Sequence, residues 1–377
     1  MPPSREASVG ADGILSLARS DRSAAQRALA ALGTEEQVAL VCEAPVARRA
    51  ELLELVPEPE RVIPALPEAE LVFTVKAVGL PDAGWILSHA SDEQIQACVD
   101  LDAWSAELPD RARLADWVAA LGEGGDETLL RAARALDAEL LMLWLSSLAE
   151  VVMKANDDPG WQPPSGGQTI DGVFFLVARR SDDELQLALR LLALLFEDDY
   201  WFYFRLLQSA SWESSADNEE FALRWRSGRL QDLGFPTREE ALAIYASPRP
   251  EELEAPTEAP PVSREWHLPV WIPDLPEAAD SEHSLFRAAA QLEGETRRSL
   301  FYAFVALANQ VAVADRLPLG DAESLPKAIE KAARVASLGL DWLAQRHGAA
   351  PAEVLRRTPL ARLFRLGFRL DRAEGAA

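Results

Sequence analysis

Residues 57–102 read PEPERVIPALPEAELVFTVKAVGLPDAGWILSHASDEQIQACVDLD, and the punctuation of this stretch decides the fold. Pro57 and Pro67 each open an apolar run, and Pro81 and Ser91 repeat the pair about two dozen residues later, within the period of stacked helical repeats. Proline at a first helical position sacrifices no bond, because that N–H has no helical partner. Ser91 followed by Gln94 reads as a reciprocal cap. Leu71, Val75 and Val78 recur at helical spacing behind Pro67. The repeating unit is therefore two short helices, each too small to bury its apolar face alone. The expectation is an all-α chain of stacked, superhelical short-helix repeats.

The same signals extend outward. Thr34-Glu35-Glu36-Gln37, Ser181-Asp182-Asp183-Glu184 and Thr237-Arg238-Glu239-Glu240 read as further capping boxes. Periodicity places N-terminal helices near 14–19, 22–32, 34–42, 45–55, 58–65, 67–78, 81–89, 91–100, 111–121, 126–135 and 137–154. Residues 156–167 are a Pro/Gly loop, and the β-branched and aromatic run Thr169 to Val177 predicts a small extended or β insertion. Helices resume near 182–210, 217–227 and 237–246, with Gly228 read as a helix stop. Trp266 to Ile272 reads as extended, and further helices follow near 281–292, 295–315, 321–346, 351–357 and 359–372. The resulting organisation is a short-helix repeat domain over 1–154 and a helical middle region with the insertion over 155–246. A Pro/Glu-rich linker or loop over 247–265 then leads to a C-terminal helical domain over 266–377.

Several phrases carry a resemblance. Leu71-Val72-Phe73-Thr74-Val75-Lys76, Asp100-Leu101-Asp102-Ala103-Trp104, Thr169-Ile170-Asp171-Gly172 and Arg224-Trp225-Arg226-Ser227-Gly228-Arg229-Leu230 resemble an uncharacterised bacterial family of helical proteins. So do Leu233-Gly234-Phe235-Pro236, Leu307-Ala308-Asn309-Gln310-Val311 and Leu363-Phe364-Arg365-Leu366-Gly367. The likeness covers most of the chain and implies one whole-chain unit, a domain of unknown function with no activity attached. Residues 34–104 alone, by helix length and Pro/Glu phrasing, are similar to the intracellular N-terminal helical domain of magnesium transporters, a superhelix that senses divalent cations. No pore domain follows here, so transport does not carry over.

Composition narrows the function classes. A formal charge of −24 repels phosphate backbones and argues against nucleic-acid binding by the whole body. Two cysteines, Cys42 and Cys98, make neither a disulfide framework nor a four-thiolate zinc site and suit a reducing cytoplasm. The N-terminus has no apolar run behind a basic start, so no signal peptide is expected, and no stretch reads as a membrane span.

Residues 197–232 hold the densest polar and aromatic set: Glu197, Asp198, Arg205, Trp212, Glu213, Arg224, Arg226, Arg229 and Asp232. Arginines among acids build either a small-anion or carboxylate pocket, possible in an enzyme or a binder, or an internal ion-pair network that locks a helical turn. Asp157, Asp158 and Asp171 are oxygen ligands suited to a hard divalent cation, or a solvated acidic loop. The four histidines are scattered away from ligand spacing, and Gly122 to Asp126 lacks the lysine of a phosphate loop. At the C-terminus Arg362, Arg365 and Arg369 repeat at helical spacing beside Leu360, Leu363, Phe364 and Leu366. That basic amphipathic helix docks on an acidic partner, an anionic surface or the protein's own acidic body. With no catalytic set assembled, the sequence reads as a scaffold or adaptor for a protein partner, with divalent-cation sensing as an alternative.

Overall fold

The computed structural model describes residues 10–155, 160–247 and 281–374. Among them lie twenty α-helices, several 3₁₀ turns and two small antiparallel strand pairs, so the chain is all-α with a small β insertion. It divides into two compact units, residues 1–226 and 227–377. The Pro/Glu-rich stretch 247–265 and the run Trp266 to Ile272 lie outside the described residues, as do Asp157 and Asp158.

In the first unit the repeat is visible in the helix lengths. A four-residue helix, Pro59–Val62, precedes the eleven-residue helix Glu68–Val78. A second four-residue helix, Gly84–Leu87, precedes the eleven-residue helix Asp92–Asp102, which starts 24 residues after its counterpart (92 minus 68). The two long members pack on each other, burying Leu71, Val72, Val75, Ile95, Cys98 and Val99. Pro59 rather than Pro57 takes the first helical position, because Glu58 is the residue that leaves helical geometry.

Helices this short leave their last carbonyls without partners. Long side chains from later elements satisfy them. Gln37 Nε2 donates to the Leu29 and Leu32 carbonyls at 3.0 and 2.9 Å, and Gln94 Nε2 donates to Ile63 and Leu66 at 2.9 and 2.7 Å. Arg49 donates to Cys42 and Ala44, Arg131 to Leu87 and Ser88, and Arg190 to Gly122. TEEQ at 34–37 and SDEQ at 91–94 thus end on a glutamine that performs the same task in two places.

The expected capping boxes form at Ser91/Gln94 and Thr237/Glu240. At residue 34 the cap sits one residue earlier: Glu36 accepts from the Gly33 N–H at 2.8 Å, which frees Gln37 for its carbonyls. At Ser181 a 3₁₀ turn, Asp182–Leu185, starts without a side-chain cap.

Three helix expectations need correction. The helix expected to 154 ends at Leu148, and Ala149–Met153 pairs antiparallel with Phe174–Ala178, Ala149 facing Ala178 and Met153 facing Phe174. The helix expected over 182–210 breaks at Asp199, whose carboxylate accepts from the Phe202 N–H at 3.0 Å and starts Tyr200–Trp212. Gly228 lies inside the helix Ser215–Asp232; the stop is Gly234, at φ 82°, where the Phe235 N–H closes on the Leu230 carbonyl at 2.8 Å.

The second unit is built from Arg238–Leu242, Ser284–Ala289, Gly294–Ala314, Ser324–His347, Pro351–Arg357 and Leu360–Glu374. Its centre is the crossing of Ser324–His347 over Leu360–Glu374, with Val335, Ala336, Leu340, Leu363 and Phe364 fully buried. Asn309, itself buried, donates from Nδ2 to the Gly234 carbonyl at 3.0 Å and fixes the turn after the stop.

Both cysteines are buried and unpaired. Burial, with the Glu70 carboxylate adding, pushes the Cys42 thiol up to about 12, and burial raises Cys98 as well. The thiolate is the reactive form, so the native chain is expected to take up no alkylating reagent at neutral pH and two equivalents once unfolded. Mass spectrometry after iodoacetamide treatment reads this directly; label on either cysteine in the native state would contradict it.

Candidate functional site

The sequence cluster near residue 200 distributes as follows. Asp198 pairs with Arg134, and Arg205 donates to the Trp201 carbonyl of its own helix at 3.3 Å. Arg226 donates from Nε to the Asp100 carbonyl at 2.7 Å and lays its guanidinium 4.7 Å from the Trp104 ring centre. Glu197, Trp212, Glu213 and Arg224 are exposed. Arg229 and Asp232 fall in the second unit, half-buried and exposed respectively. Asp171 serves its own turn, accepting from the Val173 and Phe174 N–H groups at 2.8 and 3.0 Å, and the Tyr203 hydroxyl is pushed up by burial with the Asp171 carboxylate adding. Among the described residues no three histidine, cysteine or acidic side chains converge as a metal site would require.

What these helices do bring to the surface is aromatic. Tyr200–Trp212 buries Tyr203, Leu206 and Leu207 and turns Trp201, Arg205, Gln208 and Trp212 outward, a stripe at i, i+4, i+7 and i+11. In the next helix, Asn218, Glu219, Ala222 and Arg226 face inward, Glu219 held by Arg111 at 2.8 Å. Phe221, Arg224 and Trp225 face outward. Trp201 is 70 % exposed, Trp212 76 %, Phe221 50 % and Trp225 51 %.

The stripe stands on a rigid base. Phe174, from the second strand of the β insertion, meets Phe204 at 5.3 Å and Tyr203 at 6.4 Å, both edge to face. Phe196 meets Tyr200 and Tyr203 in the same way, and Trp201 rests 6.4 Å from Phe204. The insertion therefore seats the helix whose outer face carries the exposed tryptophans. Sequence reasoning grouped Trp212 with the arginine and acid cluster and did not see Trp201, Trp212, Phe221 and Trp225 as one surface; the signal was the helical phase of the apolar residues that bury, which leaves these four on the opposite side.

Deeper in the first unit, Asp102 gathers three donors: Lys76 Nζ at 2.6 Å, Arg113 Nε at 2.7 Å and Trp117 Nε1 at 2.9 Å. An open cleft of about 460 Å³ lies beside it, lined by Lys76 and Arg113 but also by Asp116 and Glu123, so its charges offset one another. The C-terminal arginines differ in exposure: Arg362 is buried, Arg365 half-buried and Arg369 exposed. Arg369 is therefore the most open of the three to an external surface, and Arg362 the least. Burial on the face that packs toward Ser324–His347 accounts for the narrowing.

An all-α architecture with a seated β insertion and an aromatic surface defines the class of protein in structural terms. The chain belongs to DUF6178, a family of unknown function that it matches over residues 26–373. No curated protein matches it, and no solved structure does. Among the described residues no helix is long and apolar enough to cross a membrane.

Proposed function

We propose that the protein is a non-catalytic helical adaptor that binds another protein through the outward aromatic faces of residues 200–212 and 215–225. The observation that carries this reading is Trp201 and Trp212, two tryptophans on one helix face, each more than two-thirds exposed. Large exposed aromatics are the informative exception on a protein surface, and tryptophan is the residue most enriched at binding hot spots. A base of interlocked rings holds this face, so little ordering entropy is lost on docking.

The partner's chemistry follows from charge. From Glu197 to Arg226 there are seven acids against three arginines, within a chain of net charge −24. An amphipathic helix with an apolar centre and a Lys/Arg rim suits this surface, its cations stacking on the tryptophan faces.

Affinity co-purification of the full chain from native lysate tests the reading, wild type against Trp201→Ala/Trp212→Ala, alongside direct titration with a synthetic Leu/Lys amphipathic helix. Both tryptophans are exposed, so the variant is expected to melt with the wild type, within about 0.5 kcal/mol per site. The co-purifying partner and the Leu/Lys peptide are expected to bind the variant at least about thirtyfold more weakly, the loss of one typical hot spot. Equal binding by wild type and variant would overturn the proposal.

A further inference from the structure

We infer that the chain pairs with a second copy of itself through the open edge of the β insertion, strand Ala149–Met153 running antiparallel to the same strand of the second copy about a twofold axis. Within the chain this strand has one neighbour, Phe174–Ala178. In an antiparallel pair, alternate residues turn their N–H and C=O groups toward the neighbour. The Arg179 N–H reaches the Leu148 carbonyl and the Lys154 N–H the Val173 carbonyl, both at 2.8 Å, so the even-numbered residues face that neighbour. Val151 and Met153 therefore turn their backbone groups the other way, where neither has a backbone partner among the described residues. Val151 is buried, and an unpaired backbone group there costs about as much as a lost hydrogen bond. The far edge of the ribbon is closed, since Leu176 exchanges two bonds with Gln168 at 2.8 and 3.0 Å. The helix Tyr200–Trp212 meets the ribbon's face, where Phe174 touches Tyr203 and Phe204.

The strand is complementary to its own reverse. Centred on Val152, antiparallel pairing sets Val151 opposite Met153 of the second copy and Glu150 opposite Lys154. The Val151 and Met153 positions are those whose backbone groups point outward, so each such pair exchanges both of its hydrogen bonds. The charged pair falls at the non-hydrogen-bonded positions, where side chains come closest and opposite charges stabilise. Glu150 and Lys154 are both exposed, and among the described residues neither has a charged partner within the chain. Centring on Glu150 or on Lys154 would instead set like charges opposite each other. A two-stranded ribbon is marginal alone, and the pairing joins two of them into one continuous sheet. A twofold axis makes the contact self-complementary and closed, which stops the open edge from templating further chains. The pairing uses no residue of the aromatic face, so it stands or falls apart from the adaptor reading.

Sedimentation equilibrium of the full chain over about 1–100 µM tests the inference, because the population of a dimer depends on protomer concentration. The wild type is expected to move from monomer toward dimer across this range. Glu150→Lys alone and Lys154→Glu alone each oppose like charges at both symmetric positions, and each should weaken the dimer about tenfold. The two substitutions change net charge in opposite directions, so a loss shared by both reads the pairing rather than overall repulsion. An equimolar mixture of the two variants restores both ion pairs and should dimerise as the wild type does. Met153→Pro removes a donor that the neighbouring strand does not use, and proline is tolerated at an open edge, so it should abolish the dimer and keep the fold. A wild type that stays monomeric at the highest concentration would overturn the inference. So would a dimer that both charge variants keep at full strength, or a mixture that associates no better than either variant alone. The charge variants change exposed side chains, so the test holds even where the proline unfolds the insertion.

Discussion

Gly367→Ala is expected to destabilise the C-terminal unit by at least about 2 kcal/mol, although alanine is the better helix former by up to ~1 kcal/mol. The reason is the crossing of Ser324–His347 over Leu360–Glu374. A Cβ built on Gly367 would lie inside the Val335 carbonyl oxygen, and one built on Gly339 inside the Leu363 carbonyl oxygen. Each glycine also faces the other's backbone N–H group across the crossing. The obstructing atoms belong to backbone held in helical hydrogen bonds, so no side-chain rotation relieves the clash and the helices must separate. Separation loosens Val335, Ala336, Leu340, Leu363 and Phe364 together, which places the cost at the upper end of overpacking, about 3 kcal/mol. At roughly 2–4 °C per kcal/mol, the unit's melting midpoint should fall by about 5–10 °C. Gly228 supplies the control: it too is helical, but nothing lies within 4 Å of its Cβ position. Gly228→Ala should therefore raise stability by about 0.5–1 kcal/mol. Urea titration of both variants reads the two signs; a stabilised Gly367→Ala would mean that the helices do not cross at these residues.

These glycines mark where sequence reading stops. The all-α class, the repeat of eleven-residue helices and two capping boxes were legible because they depend on local chemistry: periodicity, proline punctuation, and a hydroxyl three residues before an amide or carboxylate. Gly228 and Gly234 look alike in the sequence, and only the packing of Phe235 and the Asn309 bond to the Gly234 carbonyl decide that the helix ends at the second. The strand Ala149–Met153 was hidden because its apolar residues continue the helical phase of Leu140 to Leu145, while its partner begins 21 residues beyond it (174 minus 153).

The phrases that carried the family resemblance prove to be fold-fixing contacts. Lys76 and Asp102 meet, Asp171 builds the turn before its strand, Arg226 closes on Asp100 and Trp104, Asn309 holds Gly234, and Gly367 makes the crossing. The candidate site was legible only in part, because exposure depends on which helix faces are covered, and that is a tertiary property. An apolar cavity of about 250 Å³ in the second unit had no local signal at all: its described lining comes from four helices between residues 285 and 360.

Arg49→Met should cost the N-terminal unit about 3–5 kcal/mol, the loss typical of breaking a buried pair from one side. Arg49 is buried and each of its three guanidinium nitrogens donates: Nη1 to Glu70 at 2.5 Å, Nη2 to the Cys42 carbonyl at 2.7 Å, and Nε to the Ala44 carbonyl at 3.1 Å. Methionine fills much of the same volume, so the loss is electrostatic rather than a cavity. It takes the buried Glu70 carboxylate's guanidinium away and leaves the Cys42 and Ala44 carbonyls, at the end of the Thr34–Glu43 helix, without the donors that Arg49 supplies. The carboxylate and the carbonyls separate in a double-mutant cycle. Glu70→Gln alone leaves Arg49 its carbonyl bonds, and Arg49→Met/Glu70→Gln removes the buried charge as well while leaving the carbonyls without Arg49's donors. The double variant is therefore expected to be more stable than Arg49→Met alone, with a coupling of about 1–3 kcal/mol. A double variant as unstable as the sum of the singles would assign the whole cost to the helix-end carbonyls. The guanidinium would then act as a cap for a short helix, the same work that Gln37 and Gln94 do with neutral amides.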